Sequence, residues 1–428
     1  MNGGLSMVEM KSGYKMTDVG VIPEDWEVCE LRNHLVLLTD YDANGSFADM
    51  ASNVVTTTGN GYAWYVRATD LEQQSSLSEV KYVDEKSYRF LRKSTLYGGE
   101  VLLAKRGEIG KVYYFQMKTK RATLAPNLYL LKLKDTINSY FLFSLFKSTF
   151  GQNLLKSINA STSLGAIYKD DVKGLNILIP PFEEQASIAT ALSDVDSLIS
   201  ALTKKIEKKK AIKQGLMQQL LTGKKRLPGF NDKWKSMLLG DIAEVKDGTH
   251  QTPQYVKSGG KPFYSVENVT ADDFKNVKHI SLEEHKALTS NYRIEKGDVL
   301  MTRIGSIGCC KYVDWDVDAS FYVSLALLKI NEKYDSKFIS YLSNIKSFKE
   351  EVMLNSLVFA IPQKINLGNI SLIKVYIPTS KAEQTAIANI LSDCDSEIAA
   401  LEEKRDKYKE IKQGMMQQLL TGKIRLIK

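Results

Sequence analysis

One segment of this chain is written twice. Residues 184–227 return at 383–426 at a constant offset of 199, with 29 of 44 positions identical. A repeat of this kind decides the architecture before any motif does, because a repeated unit folds the same way twice. Upstream the match is sparser but keeps its order. Gly99-Glu100-Val101-Leu102, with Gly107 and Gly110, corresponds to Gly297-Asp298-Val299-Leu300, with Gly305 and Gly308, and Trp26 corresponds to Trp234. The offset drifts from 198 at the glycines to 208 at the tryptophans, so insertions and deletions fall in two long variable arms. The chain reads arm, rod, arm, rod: an extension over 1–19, a first arm over 20–180, a rod over 181–227, a second arm over 228–377 and a second rod over 378–428.

The rods are helical by pattern. Ile188, Leu192, Val195, Ile199, Leu202 and Ile206 step by fours and threes, and Ile387, Leu391, Cys394, Ile398 and Leu401 repeat the stripe; this is the spacing of a coiled-coil seam. Pro180-Pro181 ahead of Glu183-Glu184 suits a helix start, and Ser380-Lys381-Ala382-Glu383 has the form of a capping box. Gly223 and Gly422, each followed by basic residues, suit C-terminal stops. A helix over 184–221 rises roughly 57 Å. A helix that long with a narrow apolar stripe and charged flanks needs a partner, and the other copy, running antiparallel, is the obvious one. Gly215 and Gly414 lie inside the helices at a cost of about 1 kcal/mol each relative to Ala. Their presence in both copies points to close backbone approach at a helix crossing or to a docking surface for a partner.

Each arm mixes short β-rich runs (100–104, 112–115 and 128–133; 298–302 and 322–330) with helical stretches (138–148; 336–347). The expected fold is therefore α+β: two globular mixed α/β domains alternating with two long helices that pair as an antiparallel coiled coil. At 428 residues the chain is too long for one core, at roughly 100–200 residues per domain. No apolar run reaches the roughly 18 residues of a membrane span, and Met1–Lys15 lacks the apolar core of a secretion signal. The four cysteines form no CxxC pair and the four histidines are scattered, which argues against disulfides and metal sites and for a reducing cytoplasm.

The net charge of +8 matters where it clusters. Thr203–Arg226 carries nine basic residues and one acid, Glu207, and Glu402–Arg425 carries seven basic residues and four acids. Such strips fit a solvated helix face or phosphate contact. Between the strand-like runs lie polar loops with aromatics, Thr56–Tyr62 and Asp247–Tyr255, rich in the side chains that read base edges and phosphates. Catalytic signatures are missing. Ile179-Pro180-Pro181-Phe182 puts Ile where an adenine methyltransferase needs a polar acceptor. The loop Gly107-Glu108-Ile109-Gly110-Lys111 is too short for a phosphate-binding loop, and there is no G-x-S-x-G. Asp241, Glu244 and Lys246 are too close together for a nuclease site.

The duplicated Glu-Gln-x-x-Ile-Ala of 184–189 and 383–388 and the duplicated Leu-Leu-Thr-Gly-Lys resemble the specificity subunits of Type I restriction-modification systems. Thr222–Phe230 leading into the second arm, and Asp247-Gly248-Thr249-His250 opening it, resemble them too. The resemblance spans nearly the whole chain. It implies a non-catalytic subunit that reads a bipartite duplex target with one arm per half-site, the helix pair setting the gap. The implied partners are double-stranded DNA, two modification subunits and two ATP-driven restriction subunits. S-adenosylmethionine, ATP and Mg belong to those partners, with no cofactor on this chain and no membrane association. No motif of that family transfers base-reading positions; the DNA contacts expected from place in the sequence are Lys105, Arg106 and Lys111 beside the glycine turn of the first arm, with Asn60 and Tyr62, and His250, Gln251, Thr252, Gln254, Tyr255 and Arg303 in the second, Arg303 standing beside the same glycine turn. Lys208, Lys209 and Lys210 are expected to touch phosphate or a partner. A DNA-binding scaffold working without a methyltransferase, and a coiled-coil protein adaptor, are the alternatives.

Overall fold

The computed structural model describes residues 12–73, 75–107, 109–159, 165–357 and 359–426. The chain folds as two compact units, Met1–Leu202 with Lys404–Lys428, and Thr203–Glu403. The rods are two helices of 39 residues each, Phe182–Leu220 and Lys381–Leu419. Each rod therefore gives one half to each unit. Among the described residues no helix is long and apolar enough to cross a membrane.

The core of the first unit is an antiparallel sheet in the order Val112–Tyr114, Val101–Ala104, Leu128–Leu133, Leu35–Asp40. Its two central strands are apolar and buried over Val101–Ala104 and Leu128–Leu131, where both faces are covered. On one face Val101, Leu103, Tyr129 and Leu131 pack with Phe141 and Leu145 of helix Ser139–Lys147 and with Ile188 and Leu192 of the first rod. On the other, Leu102, Ala104, Leu128 and Leu130 pack with Trp64, Val66 and Leu124 of a five-stranded sheet. In that sheet Ala63–Val66 runs parallel to Ala122–Leu124. A further strand pair, Glu27–Glu30 with Asn176–Ile179, leads directly to the first rod.

The second unit is built to the same plan. Its sheet has the order Ala243–Asp247, Leu325–Ile330, Val299–Thr302, Cys310–Tyr312. Val299, Met301, Ala326 and Leu328 face helix Ser336–Leu342 and the seam residues Ile387 and Leu391, while Leu300, Leu325 and Leu327 face Tyr264 and Phe321. There Lys261–Tyr264 runs parallel to Ser320–Phe321. Trp234–Leu238 pairs with Lys374–Pro378 ahead of the second rod.

Within each unit the two rod segments run antiparallel, and repeated residues cross-link them. In the first unit Lys412 Nζ donates to Asp196 at 2.7 Å, and Tyr140 Oη donates to the same carboxylate at 2.6 Å. In the second, Lys213 donates to Asp395 at 2.5 Å and Tyr341 Oη donates to it at 2.7 Å. Burial and the carboxylate hydrogen bond push both phenols well above their ordinary range. The first residues of the repeat are the most deeply set. Glu184 is fully buried and accepts from Arg425 Nε and Nη2 at 2.7 Å each and from Trp26 Nε1 at 2.9 Å. Glu383, also fully buried, accepts from Arg226 Nε at 2.6 Å and Nη2 at 2.8 Å and from Trp234 Nε1 at 3.4 Å. Gln185 and Gln384 each donate to a proline carbonyl, of Pro180 and Pro378, and accept from a backbone N–H, of Asn138 and Asp335.

Along the seam Ile188, Leu192, Leu202, Ile206, Ile387, Leu391 and Ile398 are buried, and Val195, Ile199, Cys394 and Leu401 are half-buried. The helix glycines correct one expectation. A Cβ added to Gly215 or Gly414 would meet nothing within 4 Å, so neither sits at a close helix crossing in this structure. Only the docking-surface alternative is left for them.

Candidate nucleic-acid interface

In the second unit, three loops gather at one end of the main sheet, tied together by the bonds of Asp247 and Arg303. The loop after Ala243–Asp247 starts at Gly248, where any side chain is excluded: a Cβ would lie 2.5 Å from the carbonyl carbon and oxygen of Tyr322. Thr249 then pairs with the strand edge, its N–H donating to Phe321 O at 3.1 Å and its carbonyl accepting from Val323 N–H at 2.9 Å. These bonds fix the start of the loop, and His250, Gln251, Thr252, Gln254 and Tyr255 follow, all exposed. Tyr255 sits beneath Lys278, whose ammonium is 5.0 Å from the ring centre.

Asp247 holds this arrangement. Its Oδ1 accepts from Gly248 N–H at 2.9 Å and from Arg303 Nη1 at 2.5 Å, its Oδ2 pairs with His250 Nε2 at 2.8 Å, and its carbonyl accepts from Tyr292 Oη. Arg303 is buried. It stands in the turn after Val299–Thr302, where Ile365 N–H donates to its carbonyl at 2.9 Å and Gly305 N–H donates to Gln363 O at 2.8 Å. That turn ties in the third loop, around 357–364. Arg303 was expected to reach DNA; here its guanidinium is engaged by Asp247, 56 residues away in sequence.

The first unit repeats this pairing with different residues. Lys105, in the equivalent turn, is buried and donates to Asp40 Oδ2 at 3.1 Å and to Asp42 Oδ2 at 2.5 Å, with Lys169 completing the cluster on Asp40 Oδ1 at 2.8 Å. Burial alone would raise the Asp40 carboxyl, but the hydrogen bonds from Lys169 and Lys105 outweigh it and hold the group below the usual 3.8. Gly107 N–H donates to Gly165 O at 2.9 Å, and Arg106 forms a bridge to Ala166 with its side chain exposed. A cavity of about 530 Å³ opens here, lined among others by Tyr41, Met50, Tyr65, Lys105, Arg106 and Asn127.

The other expected contacts are dispersed. Lys111 pairs with Glu72 at 2.9 Å. Asn60 is exposed and its carbonyl accepts from Thr57 Oγ1 at 3.2 Å. Tyr62 is half-buried, donates to Glu85 at 3.3 Å and lies under Arg121 at 4.4 Å. On the rods Lys208 is exposed, while Lys209 and Lys210 bridge to Glu397 and Glu402 of the other helix at 2.7 Å each. Of the expected set, the structure brings together His250–Tyr255 with Arg303, and Lys105 with Arg106. The sequence reading missed Asp40, Asp42 and Lys169, the anchoring role of Asp247, and the 357–364 loop. The signal available was the alignment of Asp40 and Asp247 at the ends of equivalent strands.

Two stretches of the chain, residues 23–214 and 231–413, match the family described as Type I restriction modification DNA specificity domain. Over 441 aligned residues the chain is 29% identical to the putative type I restriction enzyme MjaX specificity subunit of Methanocaldococcus jannaschii, with 97% of each chain covered. It is 24% identical over 203 residues to the type I restriction enzyme EcoKI specificity subunit of Escherichia coli, with 42% of each covered. Among solved structures, the S subunit of a Type-I restriction-modification system from M. genitalium is similar with a TM-score of 0.62 at 17% identity, covering 92% of this chain and 96% of that one. Another, from work on complex assembly and conformational transition of the type I R-M system, gives a TM-score of 0.52 at 16% identity, covering 94% and 99%. At these identities the structural likeness speaks for the fold.

Proposed function

Because the chain belongs to the Type I restriction-modification DNA specificity family, with a target recognition domain in each half, we propose that each half reads one part of a split, asymmetric duplex target. The observation that carries this reading is the duplicated loop constellation, an acid–cation pair at the end of equivalent strands from which different exposed side chains project. A constant frame with variable tips is what two half-sites of different sequence require. In the second half, His250, Gln251, Thr252 and Gln254 supply donors and acceptors suited to base edges in the major groove. In the first half, Arg106 supplies a charge suited to phosphate or guanine. Arg303 and Lys105 act as positioning residues through Asp247 and Asp40.

The long helices serve in this reading as the spacer that fixes the half-site separation, about one turn of duplex or 10 base pairs. The chain supplies recognition. The S-adenosylmethionine-dependent N6-adenine methylation comes from two modification subunits, and the ATP- and Mg-dependent translocation and cleavage from two restriction subunits.

The test is single-molecule sequencing of N6-methyladenine in cells carrying this chain with its modification subunit, against cells lacking only this chain. Loss of one two-part asymmetric motif is the expected result. An unchanged methylome with both proteins expressed would overturn the reading in favour of a scaffold or adaptor.

A further inference from the structure

The third loop of the second unit carries an apolar tip. Phe359 is 98% exposed and Ile361 is 100% exposed, on side chains that elsewhere in the chain fill cores. The base of the loop is fixed: Leu357 N–H donates to Lys364 O at 2.8 Å, and Gln363 and Ile365 bond to Gly305 and Arg303 in the turn beside Asp247. The tip therefore stands on the same anchored frame as His250 and Gln254.

Two further features bear on what would cover it. Met353, Leu354 and Leu357 at the foot of the loop are exposed as well, so apolar exposure alone suits a protein surface as much as a base stack, and the surrounding charge is what separates the two. The surrounding sequence excludes acids. Between Glu351 and Glu383 there is no Asp or Glu, while Lys364, Lys374 and Lys381 fall in this stretch. The corresponding stretch of the first unit is likewise free of acids, between Asp135 and Asp170. Acid-free flanks with lysines suit a polyanion, and apolar side chains raised from such a surface suit insertion between stacked bases, which unstacks and kinks a step.

Resting on the DNA-reading function above, we propose that Phe359 and Ile361 form a wedge that enters the base stack of the half-site read by the second unit. The step it opens is a pyrimidine–purine step, the kind most easily unstacked.

The experiment uses the full chain assembled with its modification subunit and duplexes bearing the methylated motif, with 2-aminopurine placed in turn at each position of that half-site except the methylated adenine, which the methyltransferase itself takes out of the stack. Wild-type complex is expected to raise 2-aminopurine fluorescence several-fold at one step only. Phe359→Ser/Ile361→Ser is expected to abolish the rise and weaken binding about tenfold, the scale of one lost stacking contact. Leu282→Ser, which removes another exposed apolar side chain of the same unit, is expected to change neither. Binding without any fluorescence rise, or a rise that survives in the double variant, overturns the wedge while leaving DNA reading intact. Loss of modification-subunit assembly in the double variant, with DNA binding retained, assigns the tip to a protein partner instead. Failure of the wild-type complex to bind the duplex would sink the DNA-reading premise itself.

Discussion

The Glu184–Arg425 clasp allows a quantitative prediction. Glu184 is fully buried and Arg425 retains only 19% of its side-chain exposure, so Arg425→Ala leaves a carboxylate inside the protein without its cation. Removing one partner of a buried ion pair costs about 3–5 kcal/mol. The lower end applies here, because Trp26 Nε1 at 2.9 Å and Leu426 N–H at 3.3 Å still donate to the carboxylate. A loss of about 3 kcal/mol corresponds to roughly two powers of ten in a local opening equilibrium. Hydrogen exchange read by mass spectrometry localises the effect: amides in 184–192 and 26–31 should exchange about a hundredfold faster, with those in 234–247 unchanged. Glu184→Gln/Arg425→Leu should recover much of the loss, because no charge is then stranded. Exchange in Arg425→Ala within about threefold of wild type would refute the reasoning, since the carboxylate would then be satisfied without its cation.

Gly248→Ala should abolish binding to the motif duplex, while the thermal transition moves by only a few degrees. Its Cβ would collide with the Tyr322 carbonyl and displace an exposed loop, leaving the core untouched; fluorescence anisotropy and a melt check both. The lowered Asp40 carboxyl makes the first unit sensitive to acid. A group depressed below 3.8 contributes stability that is present above that value and fades as pH falls through the folded pKa, so Asp40→Asn should shrink the loss of melting temperature between pH 6 and pH 3. Gly215→Ala/Gly414→Ala should raise helix stability by about 1 kcal/mol per site, since the added methyls meet open space. If these positions instead receive a partner, co-purification with the modification subunit should drop, and unchanged co-purification would leave the glycines without a docking role.

The rods were legible because the residues identical in the two copies make the same contacts twice. Glu184 and Glu383, Asp196 and Asp395, Lys213 and Lys412, Arg226 and Arg425 are all repeat-related, and each forms the cross-link its counterpart forms. A specific ion pair tolerates few substitutions. The arms were only partly legible, since strands such as Val101–Ala104 and Val299–Thr302 need apolar residues on both faces and many sequences satisfy that. The site was least legible. Lys105 and Arg303 looked like free cations because Asp40, Asp42 and Asp247 lie more than 50 residues upstream. The reverse error hid Phe359 and Ile361, whose composition reads as core and whose exposure depends on a loop base set by bonds to Arg303 and Gly305.

The division of each rod between two units has a consequence for biosynthesis. The first unit needs Leu419, Leu420 and Arg425 to close over Ile188, Leu192 and Glu184, yet those residues leave the ribosome only after the entire second unit, Thr203–Glu403, has been made. At about 5–20 residues per second that interval lasts roughly 10–40 s. Throughout it the nascent chain carries a half-finished domain whose apolar stripe, Ile188 and Leu192, waits for its cover. The part of the chain made first therefore belongs to a domain that cannot close until residues 404–428 have been released, and its apolar face needs shielding until then.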